Sequence, residues 1–202
     1  VENYKRKYVN FIWNNKYPKK RAWALANSNI TTDWILMLDS DESINRNFFL
    51  EFEKKVVNSK HNAYWVVYNN YFLGRLLKHG IKQKKISLMR KKMATYEDFG
   101  EQDWTKYDME IHEHLIVNGS TGKMFNRLDH NQNENYESML NKHYEYAKWE
   151  SNRYKSFNLN KNSTIREKLK YKLLNKFFFP HAYFILQFVI FLGFLDGIPG
   201  YK

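Results

Sequence analysis

Apolar and polar positions along this chain follow two different periods, and the switches between them mark out the elements. Lys19 to Asn27 carries Ala and Leu at helical spacing and leads through polar Ser28 to Thr32 into the apolar run Trp34 to Leu38. That is a helix-to-strand unit, and it ends in Asp39-Ser40-Asp41-Glu42. Consecutive large apolar residues suit a strand buried on both faces, as in the centre of a parallel sheet. Ligands of such sheets bind outside the carboxyl ends of the strands, where Asp39 and Asp41 fall. Asn47 to Val57 predicts a helix with Phe48, Phe49, Phe52 and Val56 inward. Ala63 to Tyr68, Ile86 to Met89 and Ile111 to Val117 predict strands, and Asn118-Gly119 predicts a turn into Lys123 to Phe125.

From Asn135 onward the period is helical, with Tyr136, Met139, Leu140, His143, Tyr144, Ala147, Glu150 and Tyr154 on one broad face. The pattern therefore divides the chain into an α/β body over 1–134, a helical extension with a basic block over 135–176, and an apolar tail over 177–202. Residues 177–195 approach the length of about 20 apolar residues that crosses a bilayer. Pro180, His181 and Gln187 interrupt the run, which favours a helix lying in the membrane interface over a spanning helix or a buried core helix.

Composition sharpens this in three ways. A hydrophobic fraction of 43% over 202 residues supports one domain with a real core and excludes a disordered chain. The absence of cysteine excludes disulfides and thiolate metal sites and fits a reducing compartment. The net charge of +12 points to nucleic acid, an anionic membrane surface or a polyanionic substrate. Its distribution is in blocks: Leu77 to Lys92 holds seven Lys and Arg and no acid, Glu97 to Glu113 holds seven acids, and Lys161 to Lys176 holds six basic residues just before the apolar tail. No nucleic-acid-binding module is recognisable, so nucleic acid is set aside and the membrane surface retained, through residues 161–195. This places the protein in the cytoplasm, peripheral on the inner face of the cell membrane. The chain opens at Val1 with no apolar signal segment before the fold, which suggests a piece of a longer reading frame.

Two carboxylates one residue apart at a strand end, Asp39 and Asp41, can turn toward one hard cation such as Mg2+ or Mn2+. That cation can bridge two phosphates and stabilise a diphosphate leaving group. The alternative is a solvated turn in which Asp39 and Ser40 cap the next helix. Arg90 and Lys78 are candidates for neutralising phosphate. In a regular strand His112 and His114 face away from Glu113, which separates the histidines from the carboxylate. His130 is a candidate third contact to metal or diphosphate, and Trp34, Trp65, Trp104 and Trp149 are candidates for stacking on sugar rings, the first two more suited to the core.

Lys20-Arg21-Ala22-Trp23-Ala24-Leu25 followed by Asp33 to Glu42 resembles the centre of the family 2 glycosyltransferases of the GT-A fold. The segments Phe72-Leu73-Gly74-Arg75, Lys78-His79-Gly80, Ile86 to Arg90, Ile111-His112-Glu113-His114-Leu115 and Leu128-Asp129-His130 agree with it in order. So do Lys142-His143-Tyr144, Tyr146 to Glu150 and Gly193 to Gly197. The likeness covers about residues 19–200 and is nearest in flavour to the subgroup that includes lipopolysaccharide-core β-glucosyltransferases. It implies a Rossmann-like, mostly parallel central sheet, followed by C-terminal helices, in which the first strand-helix-strand unit that builds the nucleotide-base pocket has no counterpart here. It further implies transfer of a sugar from a nucleotide-sugar donor to a saccharide or lipid-linked acceptor of the cell surface, with inversion and with a divalent cation. By the same resemblance Asp41 is a metal ligand, Asp39 a contact to the nucleotide ribose or metal, Glu113 the catalytic base, and Arg90 and His114 donor contacts. The other reading is a remnant without turnover that binds membrane or a partner.

Overall fold

The computed structural model describes residues 9–14, 16–27, 29–98, 115–132, 135–157, 165–174 and 176–201. Helix α1 (Lys20–Asn27) leads into β1 (Trp34–Leu36), and β2 (Glu42–Ser43) precedes helix α2 (Arg46–Val57). The sheet is then built by β3 (Ala63–Phe72), β4 (Arg75–Leu76), β5 (Lys84–Arg90), β8 (Thr121–Lys123) and β9 (Leu128–Gln132). Between them, β6 (Ala94–Tyr96) and β7 (Leu115–Val117) form a separate antiparallel pair. The strand order is β1-β5-β3-β9-β2, with β4 and β8 also on β3.

The expected helix-to-strand unit, the helix over α2 and the strand at β3 are all present, and the fold is mixed α/β. The expectation of a mostly parallel sheet is corrected. β1 runs antiparallel to β5, β5 to β3, β4 to β3 and β2 to β9, and among the described strands only β8 and β9 run parallel to β3. Connection length explains the pattern. Leu73 and Gly74, at φ of 49° and 73°, make a two-residue turn that sends the chain straight back from β3 into β4. A parallel neighbour needs a crossover of a dozen or more residues, and the path from Phe72 to Leu128 supplies one.

The unbroken apolar run of β1 has the expected cause, burial on both faces, but at the end of the strand order and beside an antiparallel neighbour rather than in the centre of a parallel sheet. Its two faces are covered by two separate cores. On one side Ile35 joins Ala22 and Leu25 of α1, Ala63, Met89 and the small sheet residues Ala94 and Tyr96. On the other, Trp34 and Leu36 pack against a cluster of Phe48 of α2 with Tyr64, Val66, Tyr68, Leu88 and Leu128. Layers on both faces demand apolar residues at every position, whatever the direction of the neighbouring strand. Gly122 sits where β8 crowds Tyr64: a Cβ there would lie 2.6 Å from the tyrosine ring.

α2 begins at Asn45, whose side chain accepts from the Phe48 amide, so Asp39 and Ser40 do not cap it. Phe48 is fully buried and Phe52 and Val56 are partly so, but Phe49 is 47% exposed and does not face the core. α3 (Tyr136–Phe157) is displaced in a similar way. Tyr136, Leu140 and Tyr144 are exposed, while Trp149 and Arg153 are buried. Lys19 and Arg153 lie against the Trp149 ring at 5.7 and 5.5 Å, so α3 seats on the start of α1 through a cation-flanked indole. Helix α4 (Ile165–Leu174) and a broken tail follow: α5 (Phe179–Ile185), a wide turn over Leu186–Ile190, a tight turn over Gly193–Asp196 and α6 (Ile198–Tyr201). Among the described residues no single helix is long and apolar enough to cross a membrane; Lys168–Leu174 with Phe179–Ile190 reaches that composition only as a pair bent by 100°.

The contrast within α2 is measurable. Phe48→Ala is expected to lower the unfolding free energy by about 3–5 kcal/mol and Phe49→Ala by about 0.5 kcal/mol or less. Equal losses in urea denaturation would mean that α2 presents a different face to the sheet.

Candidate functional site

Residues 37–41 carry the chain from the first strand of the sheet order to the last, past Lys85 on β5 and His130 on β9. The Met37 amide still donates to Ser87 of β5, and the Asn131 amide already donates to the Asp41 carbonyl on the far side. Between these anchors Asp39 to Glu42 close a tight turn. The Glu42 amide donates to the Asp39 carbonyl at 3.1 Å, and the Asp39 amide donates to Glu42 Oε2 at 3.2 Å. The turn leaves Asp39 and Asp41 aimed at different partners.

Asp39 is fixed by two cations. Arg21 of α1 bonds one carboxylate oxygen, and Lys85 Nζ donates to the other at 2.7 Å. Burial pushes the Asp39 carboxyl up, but the hydrogen bonds and charges of Lys85 and Arg21 outweigh it and hold it down at about 2 against the usual 3.8. Lys85 also reaches Glu42 at 2.6 Å and lies 5.3 Å from the Tyr68 ring centroid. Beneath it the Tyr68 hydroxyl and Ser87 hydroxyl share a buried hydrogen bond of 2.6 Å. Burial raises the Tyr68 phenol far above its ordinary range, so this floor is uncharged. Two carboxylates and two cations thus balance, and Asp39 orders Arg21 and Lys85.

Asp41 belongs to a second group. β2 lies beside β9 with Glu42 opposite His130, and β3 lies on the other side with Asn70 opposite His130. His130 Nε2 is 3.2 Å from Asp41 Oδ2, and its Nδ1 is 3.1 Å from Asn70 Oδ1. An amide oxygen only accepts, so Nδ1 carries a proton and Nε2 faces the carboxylate. Nε2 can meet Asp41 favourably in two states: as an imidazolium N–H, or as a lone pair sharing a cation with the carboxylate.

Of the residues expected from the sequence, Asp41 and His130 are therefore brought together, whereas Asp39, in the same turn, gives both carboxylate oxygens to Arg21 and Lys85 and does not share a cation position with Asp41. Arg90 is not part of the site. It sits opposite Trp34 at the start of β1, ion-paired to Asp33 with its guanidinium 4.7 Å from the Trp34 ring, about 17 Å of strand away from Lys85. Glu113, His112, His114 and Trp104 lie outside the described residues. Trp149, 1% exposed between Lys19 and Arg153, is not a platform for sugars. Lys78 offers its backbone amide to Asp196 at 3.0 Å. Arg21 and Lys85 are the site residues that sequence reasoning missed. Their signal was present in the helix before the apolar run and in the basic block, but nothing local singles out Lys85 among its basic neighbours.

Among the described residues no group of three or more His, Asp or Glu side chains is arranged to hold a metal ion. Asp41 and His130 make a two-donor set of one carboxylate and one imidazole, which suits Mn2+ better than Mg2+ where substrate phosphates and water complete the shell. A separate cleft of about 540 Å³ lies at the other end of β1, lined by Ala22, Leu25, Ile30, Asp33, Lys91 and Tyr96. Comparisons with protein-family models, with curated proteins and with solved structures find no match to this chain.

The Asp39 ion pairs have a pH signature. A carboxyl held at about 2 contributes stability that is full above pH ~4 and is lost as pH falls toward ~2. Asp39→Asn is expected to lower stability at pH 7 and to flatten the loss between pH ~4 and ~2 in urea midpoints. An unchanged acid limb in that variant would show that Arg21 and Lys85 do not hold the carboxylate in solution.

Proposed function

We propose that this chain carries the diphosphate- and metal-binding part of a GT-A glycosyltransferase, moving a sugar from a nucleotide-sugar donor to a cell-surface glycan or lipopolysaccharide-type acceptor with inversion at the sugar C1. The observation that carries this reading is the Asp39–Glu42 turn, which sets an Asp41–His130 donor pair beside two ordered cations, Arg21 and Lys85. A diphosphate is the small-molecule group that wants both: hard-cation coordination on one flank and guanidinium or ammonium donors on the other. The resemblance to family 2 glycosyltransferases over the same segment supports the same chemistry.

In this mechanism Asp41 and His130 would hold a divalent cation, which when bound would supply Lewis-acid stabilisation of a diphosphate leaving group. Arg21 and Lys85 meet the remaining phosphate charge, and Asp39 and Glu42 keep both cations in place without reorganisation during the reaction. The acceptor hydroxyl oxygen bonds to C1 as the C1–phosphate oxygen bond breaks. Its proton passes to Glu113, a role that rests on the resemblance alone. A second reading, a non-catalytic binding protein, is favoured by one observation: both oxygens of Asp39 are already taken.

Release of nucleoside diphosphate from a panel of nucleotide sugars, with Mn2+ or Mg2+, tests the proposal. Asp41→Asn and His130→Ala are each expected to lower turnover by about 10²–10³-fold. Lys85→Ala is expected to raise KM and weaken binding of the free nucleoside diphosphate. Turnover that survives Asp41→Asn within a few-fold would sink the metal site. Metal-dependent nucleotide binding without turnover by the wild-type chain would establish the second reading.

A further inference from the structure

The tail after α4 is folded on itself, and its apolar side chains still face outward. Phe188 is the internal post: Phe184 stacks on it at 5.1 Å, and Tyr201 and Phe194 meet its ring at 5.7 and 6.1 Å. Around that post the surface is apolar, with Phe177 90%, Ile190 64%, Leu195 56% and Ile185 52% exposed. From Phe177 to Leu195 there is no Asp, Glu, Lys or Arg. An apolar surface of this extent marks an interaction site rather than ordinary surface.

The tail is also fastened to the body. Asp196 accepts from the backbone amides of Lys78 and His79 at 3.0 and 2.9 Å and pairs with the His79 ring at 2.9 Å. Gln187 Oε1 accepts from the Ile81 amide at 2.7 Å, and the Phe191 carbonyl accepts from the Gly80 amide at 2.9 Å. The loop over 78–81 therefore gives four backbone donors to the tail. These bonds use polar groups of the tail and leave its aromatic and aliphatic groups outward.

We infer that the tail is a docking wedge that lies flat in the headgroup region of an anionic lipid bilayer, with the exposed lysines of α4 on the lipid phosphates. Three observations select this occupant. First, the apolar surface is flanked by a basic one, since Lys168, Lys172 and Lys176 are all exposed, and such pairing suits anionic headgroups over acyl chains. Second, the helical stretch Phe179–Ile190, α5 with its π-helical last turn, is about 18 Å long, against the roughly 30 Å of a hydrocarbon core. With a 100° bend before it, the segment lies in the interface instead of crossing. Third, no acidic side chain lies between Phe177 and Leu195 to pair with these lysines across a contact with a second copy, so self-association on this surface gives them no counter-charge. The inference does not depend on sugar transfer.

Flotation of the complete chain with vesicles tests it, comparing pure phosphatidylcholine with phosphatidylcholine containing a third phosphatidylglycerol. The chain is expected to float with the anionic vesicles, and to be released by salt. Ile185→Glu with Ile190→Glu, both at exposed positions, should lower partitioning at least tenfold. Lys168→Glu with Lys172→Glu should lower it by about tenfold or more on anionic vesicles only. Circular dichroism of both double variants should match the wild type. Three results would overturn the inference: no flotation of the wild type; flotation unchanged by either pair; or a dimer in sedimentation velocity without lipid that the Ile185/Ile190 pair dissociates, which would make a second copy the occupant.

Discussion

Strand β3 is the constraint on which the rest of the sheet depends. Its ten residues pair antiparallel with β5 along one edge, while its other edge runs parallel with β8 and then β9. Apart from Arg21 of α1, the residues that converge on the carboxylate turn are placed through it. Lys85 comes from the strand on one side, His130 from the strand on the other, and Tyr68 and Asn70 from β3 itself. A slip of one residue would turn Tyr64, Val66 and Tyr68 away from Phe48, so the buried cluster on that face pins the register on which the site relies.

The electrostatics of the turn separate two carboxylates that look equivalent in a sequence. Asp39 is saturated by Arg21 and Lys85, while Asp41 shares His130 with Asn70. Part-buried ion pairs hold position because each partner would otherwise be stranded with its desolvation uncompensated. Asp39 thus acts on a ligand through the cations it holds, and Asp41 is the carboxylate left to act directly.

Much of this was legible in the residues. The helix over 20–27, the body of the helix over 47–57, the strand from Ala63 and the turn at Asn118-Gly119 follow from local periodicity and local turn chemistry, and local signals are what a sequence carries; the cap at Asn45 was not among them. The direction of the sheet was not legible, because an apolar run reports that both faces are covered and says nothing about how the neighbour runs. The inward face of α3 was misplaced because Trp149 is flanked there by the side chains of Lys19 and Arg153, which a binary apolar pattern scores as surface. Asp39, Asp41 and His130 could be picked out by type and position. Arg21 and Lys85 could not, since their meeting spans 46 residues between Asp39 and Lys85 alone and depends on strand register.

The Asp196 clasp gives the end of the chain a mechanical role. The loop it grips runs directly into β5, and Lys85 is only the second residue of that strand. The same loop is tied on its other side to Asn70, whose carbonyl accepts from the Leu77 amide and whose side chain holds His130. Force applied to the tail is therefore delivered to both halves of the carboxylate site through a handful of backbone hydrogen bonds. The turn over Gly193–Asp196 serves as a strut, bracing the loop before β5 from 117 positions further along the chain.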